Sequence, residues 1–372
     1  MYNLFYFLIV LSVLIFFHEL GHFLAARRLG VGVLKFSLGF GPRLFGRTVG
    51  GTEYLISALP LGGYVKLFGE EPEEEGEAAQ KAPPLSPEER KRSFSHAPVW
   101  KRIVIVVAGP AFNMLLAYLI FAGSLAIGMP MYVPAFDSLM PVIETVVKES
   151  PAEAAGFKAG DRIISIGGRN ISTWTQMTEV IYGSAGKVLT VVVERDKRNL
   201  TLTVTPAPKT VETVEGKKVE VGQIGIGKNP RGVQIEAANP AEAVVKGFEA
   251  TWAWTYLTVE GLVRLVSGRL SLDNIGGPLL IGQLSGQAAS QGPEGLIFLI
   301  AILSITLGVM NILPIPVLDG GHLLFFVIEA VIGRPLGLRK REIAQQVGLV
   351  LLLLLMTLAF YNDIIRLFIK QG

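Results

Sequence analysis

"FFHELGHFLAARR", residues 16–28, closes an otherwise apolar N-terminal run. Two histidines and a glutamate sit in the second half of a stretch, Leu4 to Ala26, long enough to cross a bilayer. Successive helical residues turn by about 100°, so His18 and His22 lie about 40° apart on one face and can grip one metal ion. Glu19 stands beside that face. The arrangement is H-E-x-x-H, in which two imidazoles bind zinc and the glutamate takes a proton from the metal-bound water. The plainer reading is polar packing against a neighbouring helix. Each ionised side chain at mid-bilayer costs roughly 2.5–3.5 kcal/mol, however, and a structural zinc returns on the order of 10–16 kcal/mol. A metal gives the cluster a reason to be there.

The rest of the chain has the composition of a membrane protein. Of 372 residues half are hydrophobic and 17 % charged, below the roughly 25 % of soluble domains. The apolar excess gathers in four stretches, at about 4–26, 103–129, 296–313 and 343–361. The first is no signal peptide by its flanks: no basic residue precedes it and no small-x-small cleavage site follows a short core. A net charge of +3 without a basic, aromatic-interleaved stripe argues against nucleic acid as a partner. There is no cysteine, so disulfides and thiolate sites are excluded and a transition metal must be held by His, Asp or Glu.

Short-loop charges set the orientation. Arg27 and Arg28 end the first span, Lys101 and Arg102 precede the second, and Arg334, Arg339, Lys340 and Arg341 lie between the third and fourth. Both linkers are therefore expected to be cytoplasmic, with the termini and the segment from about 130 to 294 outside. Residues 240–268 are apolar and aromatic but interrupted by Lys246, Glu249, Glu260 and Arg264. They read as an amphipathic helix in the outer interface, with Trp252 and Trp254 at headgroup level, rather than as a fifth span. Acidic, proline-containing residues 70–98 read as a solvated linker, and glycine-rich 276–295 as a mobile gate.

Catalytic zinc usually takes three protein ligands. A metzincin extension needs Gly and His where this chain has Ala25 and Arg28, and Glu53 lies in a strand-like stretch. Asp319, in "NILPIPVLDGGH" (311–322), is the better third ligand: the first and third spans run in the same direction, which puts His18, His22 and Asp319 in the cytoplasmic half. Pro314 and Pro316 break the helix, Gly320 and Gly321 allow a turn, and broken backbone at membrane depth requires protein or a wet cavity around it. His322 reads as a structural or outer-shell residue. Asn113 and Asn311 fit either interhelical hydrogen bonding or contact with a substrate backbone.

"HELGH" (18–22), "AGPAFN" (108–113) and "NILPIPVLDGG" (311–321) together resemble the site-2 protease family, and these signatures bracket most of the chain. The resemblance implies zinc held by His18, His22 and Asp319, with Glu19 as the catalytic acid/base and Asn113 and Asn311 near bound substrate. Residues 33–67, cut by Gly39, Gly41, Pro60, Gly62 and Gly63, look like the family's membrane-associated β-region, whose exposed edge adds an unwound substrate segment as a strand; Gly39 and Gly41 fall to substrate binding. "SPAEAAGFKAGDRIISIGG" (150–168) resembles a PDZ domain across about 131–210, with Gly156, Phe157, Gly160 and Asp161 at the turn near its peptide groove. Only one PDZ signature is present, since 211–235 are too few for a second.

The expected fold is thus a polytopic α-helical membrane protein with four transmembrane helices, a cytoplasmic-side β-region and an extracytoplasmic α+β PDZ domain. Its parts are the first span (1–30), β-region (31–69), linker (70–99), second span (100–130), PDZ domain (131–210), a post-PDZ segment with the interfacial helix (211–294) and the last two spans (295–372). The expected activity is intramembrane zinc proteolysis in a bacterial inner membrane. Its partners are lipid, single-pass membrane substrates such as anti-sigma factors or remnant signal peptides, and a peptide C-terminus at the PDZ domain. A non-catalytic scaffold with structural zinc, or a metal transporter, is the alternative; the first has no use for Glu19, and the second needs ionisable residues in the second and fourth spans, where they are nearly absent.

Overall fold

A computed structural model describes residues 2–70, 85–129, 131–133, 140–212, 218–227, 233–234, 239–268, 270 and 272–369. The chain divides into two units, 1–131 with 236–372 and 132–235. In chain order the first unit begins with α1 (Tyr2–Arg28), β1 (Val33–Val49), β2 (Thr52–Leu67), α2 (Pro87–Arg92) and α3 (Val99–Ala126). The second contains β3 (Tyr132–Val133), β4 (Thr145–Val146), α4 (Pro151–Ala154), β5 (Arg162–Ile166), β6 (Arg169–Asn170), α5 (Trp174–Tyr182), β7 (Leu189–Arg195), β8 (Arg198–Val204), β9 (Ala207–Glu212), β10 (Lys218–Gln223), β11 (Ile226–Gly227) and β12 (Val233–Gln234). The first resumes with α6 (Pro240–Val266), α7 (Pro278–Ser290), α8 (Pro293–Ile312), α9 (Asp319–Ile332) and α10 (Leu338–Ile369).

Among the described residues four helices are long and apolar enough to cross a membrane: α1, α3, α8 and most of α10. Their contacts fix their relative directions. Leu14, Leu116 and Ile300 share one apolar cluster, while further along α1 His22 meets Ile105 and further along α8 Gly308 approaches Pro110. Thus α1 and α8 run parallel, with α3 antiparallel to both. Helices α1 and α3 approach closely because both are glycine at the contact: a Cβ on Gly21 would collide with the Ala108 carbonyl, and one on Gly109 with the His22 imidazole.

The long strands β1 and β2 each bend, so two chain segments make four short strands. Residues 33–38 lie between 63–67, paired antiparallel, and 53–56, whose partners advance in the same direction; 45–49 close the far edge against 52–56. Gly39 and Gly41, at φ 89° and 85°, make the bend. Phe36, Leu67, Phe23 and Ile105 bury the near side of this sheet against α1 and α3.

Three segments differ from the sequence expectation. Most of the acidic tract of the 70–99 linker lies outside the described residues, but its end is ordered. Ser86 and Glu89 form a capping box for α2, the Phe94 amide donates to Phe68 O, and Phe94 and Ala97 are buried. The glycine-rich 276–295 stretch is mostly helix α7, whose Gly286 lies against Asn3 of α1, so it is packed rather than gate-like. In α6, Ala243, Gly247, Ala250 and Ala253 form the buried stripe. Gly247 abuts Ala122 and Thr255 reaches Met114, in opposite order along the two helices. The helix therefore runs beside α3 for about two turns instead of lying across the end of the bundle. Small residues permit this approach; a hydropathy pattern does not reveal it.

The second unit has an antiparallel sheet in the order β6-β5-β7-β8. Alternation in β7 buries Val191 and Val193, which join Ile163, Ile166, Phe157 and Met177 in its core. Ser150 and Thr173 cap α4 and α5 by accepting the amides of Glu153 and Gln176. This unit extends to Ile235, not to 210. Strand β11 pairs with β4, far upstream, and Ile224 enters the same core, so the residues placed after the domain complete it.

Candidate metal centre

His18 and His22 are one turn apart on α1. Asp319 reaches them from the first residue of α9, because α8 stops at Ile312 and the chain turns back through Leu313–Leu318. Neither Pro314 nor Pro316 can donate a backbone hydrogen bond. Gly320 has no room for a side chain: a Cβ there would meet the carbonyls of Ile312 and Leu313 at the end of α8. Val317 takes φ 95°, a left-handed value costly for a β-branched residue. This tight reversal aims the aspartate at α1.

The three side chains offer one ligand atom each, all within 4.8 Å of one another. Asp319 Oδ2 lies 3.0 Å from His18 Nε2 and 3.5 Å from His22 Nε2, and the two Nε2 atoms are 3.3 Å apart. Asp319 Oδ2 is nonetheless buried without a satisfied hydrogen bond. Two imidazole nitrogens and a carboxylate oxygen converging on one point are the donor set and number of a catalytic zinc, and zinc fits here.

Helix α3 holds the outer sides of both rings. The Ile105 carbonyl accepts from His22 Nδ1 at 2.8 Å, which fixes that ring with Nε2 free as ligand. Asn113 lies 3.1 Å from His18 Nδ1 through its amide nitrogen, and Ser304 Oγ on α8 donates to the Asn113 carbonyl at 2.7 Å. Below the site Arg102 of α3 and Glu329 of α9 form a buried bidentate pair at 2.5 and 3.1 Å, with the guanidinium 4.8 Å over the Phe326 ring and Arg341 of α10 3.6 Å from the same carboxylate.

A cleft of about 200 Å³ opens on the ligands. Glu19, Tyr64, Val65 and His322 line it. Glu19 faces the Val65 amide, so its carboxylate lies between the ligands and the edge strand 63–67. Among the described residues that strand pairs with 33–38, and its Leu67 amide donates to Glu70 at 3.0 Å.

The other sequence candidates fall elsewhere. Gly39 and Gly41 shape the bend and do not line the cleft. Asn311, in the last turn of α8, does not line it either. Glu53 pairs with Arg43 at 2.9 Å and Lys35 at 3.6 Å, which rules it out as a ligand. In the second unit Gly156 and Gly160 are positive-φ turn residues. Phe157 is core, and Asp161 is fully buried, its carboxylate accepting from Arg195 Nε at 2.6 Å, Arg195 Nη2 at 2.7 Å and the Lys158 amide at 2.8 Å. These side chains build the turn. Burial opposes charge on Asp161, but the Arg195 guanidinium and Lys158 amide outweigh it and hold its carboxyl below the ordinary range. Sequence reasoning missed Gly109, the Ile105 carbonyl and the Arg102–Glu329 pair. Only the last left a signal: one arginine and one glutamate just inside apolar runs.

Residues 6–355 match Peptidase family M50. A relative from Rhizobium meliloti (strain 1021), assigned by name to the zinc metalloproteases, is 40 % identical over 367 residues, covering 97 % of this chain and 96 % of its own. Zinc metalloprotease RasP of Geobacillus kaustophilus is 32 % identical over 428 residues, with 98 % of each chain covered. Regulator of sigma-E protease RseP of Salmonella typhimurium is 31 % identical over 457 residues, with 99 % of each covered. With ligands, base and apolar bundle in place, these matches carry one conclusion: the chain belongs to peptidase family M50, the site-2 protease family, and is a zinc metalloprotease.

Proposed function

We propose that this protein is an intramembrane endopeptidase that cuts single-pass membrane proteins within or beside their spans. One observation carries the reading: two histidines and an aspartate from separate apolar helices converge within 4.8 Å beside Glu19. His18, His22 and Asp319 would hold the zinc, which when bound supplies Lewis acidity toward a water and the scissile carbonyl. Glu19 takes the proton from that water and returns it to the leaving amine. A substrate segment would add along strand 63–67 in place of the Glu70 contact at Leu67, and it must unwind because a helical peptide bond is shielded from attack. Paired there, the segment is extended beside Glu19.

The loop charges support cytoplasmic placement of the β-region and of the α9–α10 turn, with the termini and residues 132–235 outside. Kinship with RseP supports placement in a bacterial inner membrane. RseP's name ties it to sigma-E, and by analogy an anti-sigma factor or a remnant signal peptide, already shortened outside, is the substrate class. The outer unit, read as a PDZ domain, either binds a new C-terminus or admits partners by size.

The test is Glu19→Gln in proteoliposomes with a tagged single-pass substrate. Zinc should remain bound while cleavage falls by about 10²–10⁴-fold. Unchanged cleavage, with contaminating proteases excluded, refutes the assignment.

A further inference from the structure

We infer that Asn113 is a positioning residue for His18, and that it works with its amide oxygen, not its nitrogen, turned to the ring. The observation is a mismatch. Asn113 is fully buried. Its Nδ2 lies 3.1 Å from His18 Nδ1, while its Oδ1 is buried with no hydrogen-bond partner. His18 presents Nε2 to Asp319 and His22, so Nε2 is the ligand nitrogen and must be unprotonated when metal is held. The neutral ring then carries its proton on Nδ1. An N–H there cannot pair with an amide N–H₂. Turning the amide by 180° exchanges two atoms of nearly equal size and brings Oδ1 to the Nδ1 proton. The orphaned oxygen acquires a donor, and His18 is fixed in the tautomer a ligand needs.

The two rings are then held alike. His22 donates through Nδ1 to the Ile105 carbonyl, and His18 to the Asn113 side chain. Both acceptors come from α3, which Gly109 lets pass against the imidazoles. The Ser304 bond to the Asn113 carbonyl ties the same residue to α8, the helix that leads to Asp319. This gives Asn113 a role distinct from the substrate contact implied by resemblance. It rests on the zinc assignment above.

The experiment measures zinc affinity of the detergent-solubilised full chain by chelator competition, beside kcat and KM at saturating zinc. Asn113→Ala should weaken zinc 10- to 100-fold, the usual effect of removing a ligand's outer partner. Asn113→Asp keeps shape and acceptor and should bind zinc at least as tightly as the parent. Ser304→Ala, which loosens only the helix contact, should change affinity less than about 3-fold. An Asn113→Ala variant with parental zinc affinity and a raised KM overturns the inference in favour of substrate contact, and so does an Asn113→Asp variant as weak as the alanine. A parent chain without zinc affinity overturns the metal assignment and this role together.

Discussion

Both units bury an arginine–carboxylate pair, and the two pairs serve different ends. Arg102 and Glu329 sit 227 positions apart in sequence and join two helices of the bundle. Asp161 and Arg195 are 34 apart and brace one turn against the neighbouring strand β7 within a small domain. In the bundle each ionised group at depth is costly, and this pair is spent on joining α3 to α9. In the second unit polar residues are ordinary, and a carboxylate in a conspicuous turn proves to be scaffolding.

Substitutions test that contrast, and the greatest effect is expected at Gly109. With leucine there, the side chain occupies the space of the His22 and His18 rings. Zinc content of the purified protein should fall close to zero, with more than about 100-fold loss of affinity and no detectable cleavage. Retained zinc would show that α3 does not set the ring positions.

Glu329→Gln leaves the Arg102 guanidinium buried with a neutral partner, and should cost about 3–5 kcal/mol of bundle stability, read from thermal unfolding in detergent. Reversing the pair, Arg102→Glu with Glu329→Arg, should recover part of the loss. No recovery would mean that local packing around Phe326, not the ion pair, holds α9 to α3.

Asp161 predicts a pH dependence confined to the second unit. Its carboxyl is held below the ordinary value. The pair therefore contributes in full above the unfolded pKa of about 3.9, and its stabilisation is lost as pH falls below that toward the folded value. Protection factors of β7 amides in the full chain should fall below about pH 4. Arg195→Met should abolish that acid-induced loss, because burial alone then acts to raise the carboxyl, while amides of α1 and α3 keep their protection. An unchanged profile in the variant would remove the pair from the account.

The smallest effect is expected at Val317. Glycine there relieves the positive φ and should raise thermal stability by about 1 kcal/mol, near the low end of such strain, with zinc affinity within about 3-fold of the parent. A large drop in affinity would show that valine's side chain, not the turn's backbone path, places Asp319.

By itself the sequence determined the elements whose signal is local. A bilayer's length and the cost of charge within it make apolar spans and intramembrane ionisable residues conspicuous, so four membrane-length helices and the trio His18, Glu19 and His22 could be read directly. Asp319 needed the further step of matching span directions. Only the tertiary structure decided the placement of α6 along α3, the bend of β1 and β2 into four strands, and the entry of Ile224 and β11 into the second unit. The same holds for the outer partners of the two imidazoles. Each depends on a contact between residues far apart in sequence, through a backbone carbonyl, a missing Cβ or a two-residue strand. Such features carry no periodicity and no charge, so they leave nothing in the sequence to count.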